Sequence, residues 1–226
     1  MEFVFDARLP ASSYVEMIWH TRSEGAGTFT STASSNWEMV VTISNGKPRM
    51  AVRGPETRAS PADFPSEAEF FGITFKPGTF MPHLPLRNLL DRQDSTLPAA
   101  SDRSFWLHGS AWELPTFENA EVFVQRLIRQ EIVVQDPLVA AALQGQRPAL
   151  SPRSLQYRFL EVTGLTYKTI QQIERAHRAA VLLEQGRPIV DTAIELGYFD
   201  QAHLTNSLKR FLGKTPALIV PNRLAA

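Results

Sequence analysis

Near its C-terminal end the chain reads IVDTAIELGYFDQAHLTNSLKRFLGKTP over residues 189–216, and this stretch restricts the fold more than any other. Two short segments with apolar residues at helical spacing flank a glycine. In the first, Val190, Ala193 and Ile194 recur at helical intervals. Gly197 stands where a helix end takes a residue of positive φ, and Tyr198 supplies the hydrophobic contact that follows such a cap. A helix ending near Leu196 is predicted. Asp200 suits an N-cap, and Leu204, Leu208, Phe211 and Leu212 then repeat at i, i+4, i+7 and i+8 until Gly213, with Pro216 beyond. Away from that stripe lie Ala202, Asn206, Lys209 and Arg210, with His203 and Thr205 on its flanks. Two helices joined by a short glycine-containing turn match the unit whose second helix enters the DNA major groove. An ordinary helical hairpin has the same geometry, so the pattern alone leaves both open.

Charge distribution bears on the choice. Residues 1–145 hold 12 Lys and Arg against 17 Asp and Glu, and residues 146–226 hold 11 against 6, so a neutral chain divides into halves of −5 and +5. A basic C-terminal segment suits a phosphate-binding module, although two oppositely charged domains docked on each other would show the same split. With 226 residues and 43% hydrophobic content, the chain can bury a sizeable core as one large or two small domains. It has no cysteine, which excludes disulfides, thiolate nucleophiles and cysteine-based zinc sites. No run of eighteen apolar residues occurs and the N-terminus is acidic, so neither a membrane span nor secretion is indicated and a cytoplasmic location is expected.

Residues 1–115 read as a β-rich domain. Tyr14 to Trp19, Trp37 to Ser44, Arg49 to Val52 and Phe70 to Phe75 are rich in aromatic and β-branched residues and bounded by turn formers. Asn45-Gly46 is a strong hairpin signal, since both residues tolerate the positive φ of a tight turn. The prolines at 77, 82 and 85 break the pattern, with a short helix predicted over Leu86 to Arg92. An antiparallel barrel or sandwich is expected. Its aromatic residues Trp19, Trp37, Phe71, Phe75 and Phe80, with His20 and His83 near them in sequence, are core or the lining of an effector pocket. Trp19, Trp37, Phe71, Phe75 and His83 are the pocket candidates.

Residues 116–135 show helical spacing through Val122, Leu127, Ile128 and Ile132 to Val134, and read as a connecting helix. Asp136-Pro137 and Ser151-Pro152 each pair an N-cap with a proline at the first helical position. The second opens a helix with Leu155, Phe159 and Leu160 inward and Arg153, Gln156, Tyr157 and Arg158 outward. A long helix over Thr166 to Gln185 follows, with Tyr167, Ile170, Ile173, His177, Ala180 and Val181 on one face and Lys168, Arg175 and Arg178 elsewhere.

This order, with SLQYRF then TGLT, a long helix carrying ERAHRAAVLLEQG, and the 189–216 stretch, resembles the AraC/XylS family of bacterial transcription regulators over roughly Ser151 to Ile219. The resemblance implies an α+β chain: a cupin-like N-terminal antiparallel β domain for effector binding or dimerisation, then an all-α double helix-turn-helix domain spanning 136–226. It implies recognition helices in successive major-groove turns about 34 Å apart. Base contacts would fall on Gln201, Ala202, His203, Thr205 and Asn206, and in the first unit on Arg153, Gln156 and Tyr157. Lys209, Arg210, Arg158 and Lys168 would meet phosphates. Many members carry Arg where this chain has Asn206 or Tyr157, which at Asn206 exchanges guanine readout for one that suits adenine. The first unit is abbreviated, only ALQGQRPAL preceding Ser151, so its supporting helix is expected over Pro137 to Gln144. Implied partners are double-stranded DNA, RNA polymerase, a small-molecule effector and a second copy of the chain, with DNA-bound protein found at the nucleoid.

Enzymatic signatures are weak by comparison. The histidines at 20, 83, 108, 177 and 203 are isolated in sequence, without the His-x-His of a metal cupin, and no metal or cofactor is expected. Gly213-Lys214-Thr215 imitates the end of a P-loop, but Leu208 occupies the first glycine's place. Gly25-Ala26-Gly27 lacks the third glycine of a dinucleotide site, and no G-x-S-x-G occurs. The chain is thus read as a non-enzymatic, sequence-specific DNA-binding regulator, with no catalytic residues. The alternative is a small-molecule sensor whose helical domain makes protein contacts.

Overall fold

The computed structural model describes residues 4–92 and 94–221; the parts of the expected domains at 1–3, 93 and 222–226 lie outside it. An antiparallel β region precedes a helical domain. The chain divides into two compact units that alternate along the sequence. One comprises Met1–Thr28, Asn36–Pro55 and Asp63–Thr166, the other Phe29–Ser35, Glu56–Ala62 and Tyr167–Ala226.

The first unit is built on a six-stranded antiparallel sheet of β1 (Val4–Arg8), β2 (Val15–Ser23), β4 (Trp37–Ser44), β5 (Lys47–Arg53), β7 (Ala68–Phe75) and β9 (Ser95–Thr96), in the order β1-β2-β7-β4-β5-β9. β3 (Gly27–Ser31) pairs with β6 (Ser60–Phe64), and β8 (Thr79–Phe80) with β13 (Val134–Gln135). β10 (Ala99–Ser101), β11 (Ser104–Leu107) and β12 (Ser110–Glu113) form a three-stranded sheet. The four strands expected from composition are β2, β4, β5 and β7. The β4–β5 hairpin turns at Asn45 (φ 52°) and Gly46 (φ 71°), the two positive φ values that a tight hairpin turn demands.

Alternation along the strands sends Ile18, Trp37, Met39, Val41, Met50, Val52, Phe71, Ile73 and Phe75 into one core. Trp37 and Phe75 stack at 4.0 Å, and the buried indole N–H of Trp37 donates to the Thr79 carbonyl at 2.6 Å. Trp19, one residue on from Ile18, pairs in register with Gly72, and an added Cβ at Gly72 would lie 2.1 Å from the Trp19 indole. Only glycine leaves room for that ring.

Residues 116–135 correct the expected single helix. The helix is shorter, α1 (Ala120–Arg129), and Val134–Gln135 leaves helical geometry to pair with β8. Its buried stripe is Ala120, Phe123, Val124 and Leu127, while Val122 is exposed. Phe123 fixes this choice, meeting Phe105 and Trp112 edge-on at 6.3 and 6.0 Å. The helix expected over Leu86 to Arg92 is one 3-10 turn, Leu86–Asn88.

Asp136 opens α2 (Pro137–Leu143), its Oδ1 accepting the Leu138 and Val139 N–H groups at 2.9 Å each. Its other carboxylate oxygen pairs with the Arg158 Nε of α3 (Pro152–Thr163). Asp136 is buried, and two caps plus an ion pair satisfy a charge that would be costly there unpaired. The second unit carries α4 (Tyr167–Glu184), α5 (Ile189–Glu195), α6 (Gln201–Leu212) and α7 (Pro216–Ile219). Among the described residues no helix is long and apolar enough to cross a membrane.

Two predictions follow from the β region. Gly72→Ala should lower stability by about 1–3 kcal/mol through overpacking, and adding Trp19→Leu should recover part of the loss, as read from urea midpoints. His83 has a buried Nε2 without a hydrogen-bond partner, and its ring lies 4.5 Å from that of His108. Burial, and then His108, hold the His83 imidazole below its ordinary value of 6.5. As pH falls through 6.5 the unfolded chain takes up a proton that the fold resists, so stability declines on the acid side. His83→Phe should flatten that decline in melting curves.

Candidate nucleic-acid interface

The turn between α5 and α6 is built by local chemistry. Gly197 adopts φ 68°, its N–H donates to the Ile194 carbonyl at 3.1 Å, and the Tyr198 N–H donates to the Ala193 carbonyl at 2.9 Å. This pair of bonds is the cap expected of Gly-aromatic after a helix. Tyr198 is buried, with the Arg175 guanidinium 4.3 Å over its ring and its hydroxyl 3.2 Å from Ser207 Oγ. Side chains from α4 and α6 therefore both fasten the turn.

Asp200 then caps α6, accepting the His203 N–H at 2.6 Å, and Gly213 ends it at φ 69°. Leu204, Leu208, Phe211 and Leu212 are buried, as their spacing predicts. On α4 the buried stripe is Ile170, Ile173, Ala176, Ala179 and Leu183. The face expected there is corrected at Val181, which is exposed because the stripe is rotated away from it. Of the α5 residues that recur at helical spacing, Ala193 faces inward with Thr192, while Val190 and Ile194 are exposed.

Burying the α6 stripe leaves Gln201, Ala202, His203, Asn206, Lys209 and Arg210 exposed. Thr205 is half-buried and its hydroxyl donates to the Gln201 carbonyl at 2.9 Å. His203 Nδ1 accepts the Phe199 N–H at 3.3 Å, which leaves Nε2 for an outside partner. Phe199 itself is 92% exposed, beside the helix start; an aromatic just before an N-cap was its one sequence signal. Lys209 and Arg210 lie in the last turn, where cations favour the helix dipole. On α4, burial pushes the Glu174 carboxyl above the usual range against the pull of Arg178 and His177.

The last carbonyls of α6 find partners that no side-chain pattern announces. The Ala33 N–H donates to the Phe211 carbonyl at 2.7 Å and the Ala59 N–H to the Arg210 carbonyl at 2.8 Å. His177 Nε2 on α4 donates to the Ala33 carbonyl at 2.7 Å.

In the first unit, α3 starts at Ser151, whose Oγ accepts the Ser154 N–H at 3.2 Å, and exposes Arg153, Gln156 and Tyr157. Phe159 is buried, but Leu160, expected inward, is 39% exposed, since Val162 and Thr163 take the inner positions. Arg158 is engaged with Asp136. Lys168 is exposed in the first turn of α4. Of the pocket candidates, Trp37, Phe71 and Phe75 lie in the core, while Trp19 and His83 keep partial exposure. An open depression of about 520 Å³ is bordered instead by residues 10–15 and by α1 side chains such as Glu121, Gln125 and Arg129.

Residues 146–219 match the family model described as a helix-turn-helix domain. This segment is an AraC-type helix-turn-helix domain. No curated protein matches the chain. Among solved structures, ToxT from Vibrio cholerae is similar at 12% identity, with a TM-score of 0.41, covering 96% of this chain and 99% of that one. ToxT from Vibrio cholerae O395 is similar at 10% identity, with a TM-score of 0.39, covering 96% and 98%. The same protein bound to (E)-4-(8-methylnaphthalen-1-yl)but-3-enoic acid is similar at 11% identity, with a TM-score of 0.34, covering 95% and 97%.

Loss of the α6 cap is measurable. Asp200→Ala should lower the stability of the helical unit by about 1 kcal/mol, read as a shift of the unfolding midpoint.

Proposed function

We propose that the chain is a sequence-specific DNA-binding transcription regulator that reads the major groove chiefly with α6. The exposed polar and basic face of α6 carries this reading, on a helix capped at both ends within an AraC-type domain. A recognition helix presents the residues of its N-terminal part to base edges, which assigns base contacts to Gln201, Ala202, His203, Thr205 and Asn206. Lys209 and Arg210 are assigned to phosphates, as is Lys168. On α3, Arg153, Gln156 and Tyr157 are the secondary readers. Arg158 spends its Nε on Asp136, so its part in phosphate contact is confined to the terminal nitrogens. By role, residues 1–115 serve chiefly effector binding or dimerisation, 116–135 connect, and 136–226 bind DNA. RNA polymerase and a second copy of the chain are proposed partners. No enzymatic activity is assigned.

A second reading has one observation in its favour. Val190, Ile194 and Phe199 are 55%, 72% and 92% exposed on the helix-turn-helix unit, as a surface for protein contacts would require. In that case the chain is a small-molecule sensor whose helical domain binds protein.

Gel-shift titration against duplexes from the surrounding genome decides between them. Preference over random DNA, with affinity falling steeply as salt rises, supports the regulator. Metabolite-dependent thermal shifts without any duplex preference support the sensor. Lys209→Ala should weaken all duplexes alike, whereas Asn206→Ala should change discrimination at one base pair by about 1–3 kcal/mol. Equal loss across all sequences would remove Asn206 from the base-reading set.

A further inference from the structure

We infer that the segments 29–35 and 56–62 are parts of the reading head, and that the main-chain amides of Ala33 and Ala59 are positioning groups for α6. The final turn of a helix leaves its carbonyls without partners inside the helix, so something else must meet them. At Lys209 the Gly213 N–H does so at 3.1 Å. At Arg210 and Phe211 the donors are Ala59 and Ala33, at 2.8 and 2.7 Å.

These donors are themselves held. Ser34 and Glu56 exchange two backbone hydrogen bonds at 3.0 and 2.9 Å, and Ser31 Oγ donates to the Glu56 carboxylate at 2.6 Å. The His177 ring fixes the Ala33 carbonyl from α4. The fit is close, since a Cβ at Gly213 would lie 2.8 Å from Thr30 Cγ2 and 3.3 Å from Ala59 Cβ. Both segments fall in the same compact unit as α4 to α7. With Asp200 and Tyr198 securing its start and the two amides its end, α6 is restrained against rolling and sliding. Its rotation decides which side chains face a base edge. The positioning claim is independent of DNA, but its consequence for sequence reading rests on the function proposed above.

Full-length Ala33→Pro and Ala59→Pro each delete one donor. His177→Leu frees the Ala33 carbonyl, and His177→Gln retains an N–H to hold it. Without DNA, amide exchange over Lys209–Leu212 should quicken by about two- to tenfold in both proline variants and in His177→Leu, from the loss of one net hydrogen bond. It should stay at the wild-type rate in His177→Gln, and strands β4 and β7 should keep their protection in every variant. On duplexes, the ratio of preferred to random binding should drop about tenfold while random binding holds within about twofold, because phosphate contacts tolerate misalignment better than base contacts. Unchanged exchange in the last turn of α6 overturns the inference. If the proline variants also lose protection in β4 and β7, the His177 pair decides, and equal behaviour of Leu and Gln there overturns it. A wild-type chain that prefers no duplex removes the DNA reading and leaves the exchange result to stand or fall alone.

Discussion

The helical unit depends on the burial of one stripe. Leu204, Leu208, Phe211 and Leu212 of α6 are hidden in the same unit as Ile170, Ile173 and Ala176 of α4. The small residues Ala176 and Ala179 permit close approach of neighbouring helices, in the way ridges fit grooves. Because that stripe is inside, Gln201, Ala202, Asn206 and Lys209 are outside. The polar face is thus a consequence of apolar packing, and a change of one residue in the register of the stripe would aim a different set of side chains outward.

A second constraint governs the first unit. Asp136 is a buried carboxylate that ends one strand pairing, starts α2 and holds Arg158 of α3. Its position follows from β13 finding β8, after which the Asp136 N–H donates to the Gly78 carbonyl at 2.8 Å. α3 is therefore placed by the same residue that terminates the β pairing. Removing Arg158 would leave the buried Asp136 carboxylate charged and poorly solvated.

What could be read from the sequence was local. Asp200, Gly197, Gly213 and the Leu204–Leu212 stripe act within a few residues of one another, and so do Asn45-Gly46 and the Asp136-Pro137 and Ser151-Pro152 starts. Each carries its own chemistry in its side chain or its lack of one. The misreadings share a different cause. Val190, Ile194, Val181, Val122 and Leu160 have the right spacing for burial, but spacing cannot tell which apolar residues are covered, and these remain exposed. Val134–Gln135 looked helical until a distant strand claimed it. Ala33 and Ala59 act through main-chain amides, which every residue but proline possesses, so nothing in their identity marks them.

Trp19 and Gly72 carry a consequence for sequences related to this one. The indole occupies the space where any side chain at 72 would begin, so the two positions cannot drift separately. Where a related chain replaces the glycine, position 19 should hold a residue smaller than tryptophan, and where tryptophan persists, glycine should persist with it. The pair is a covariation signature that marks this sheet face without reference to the helices.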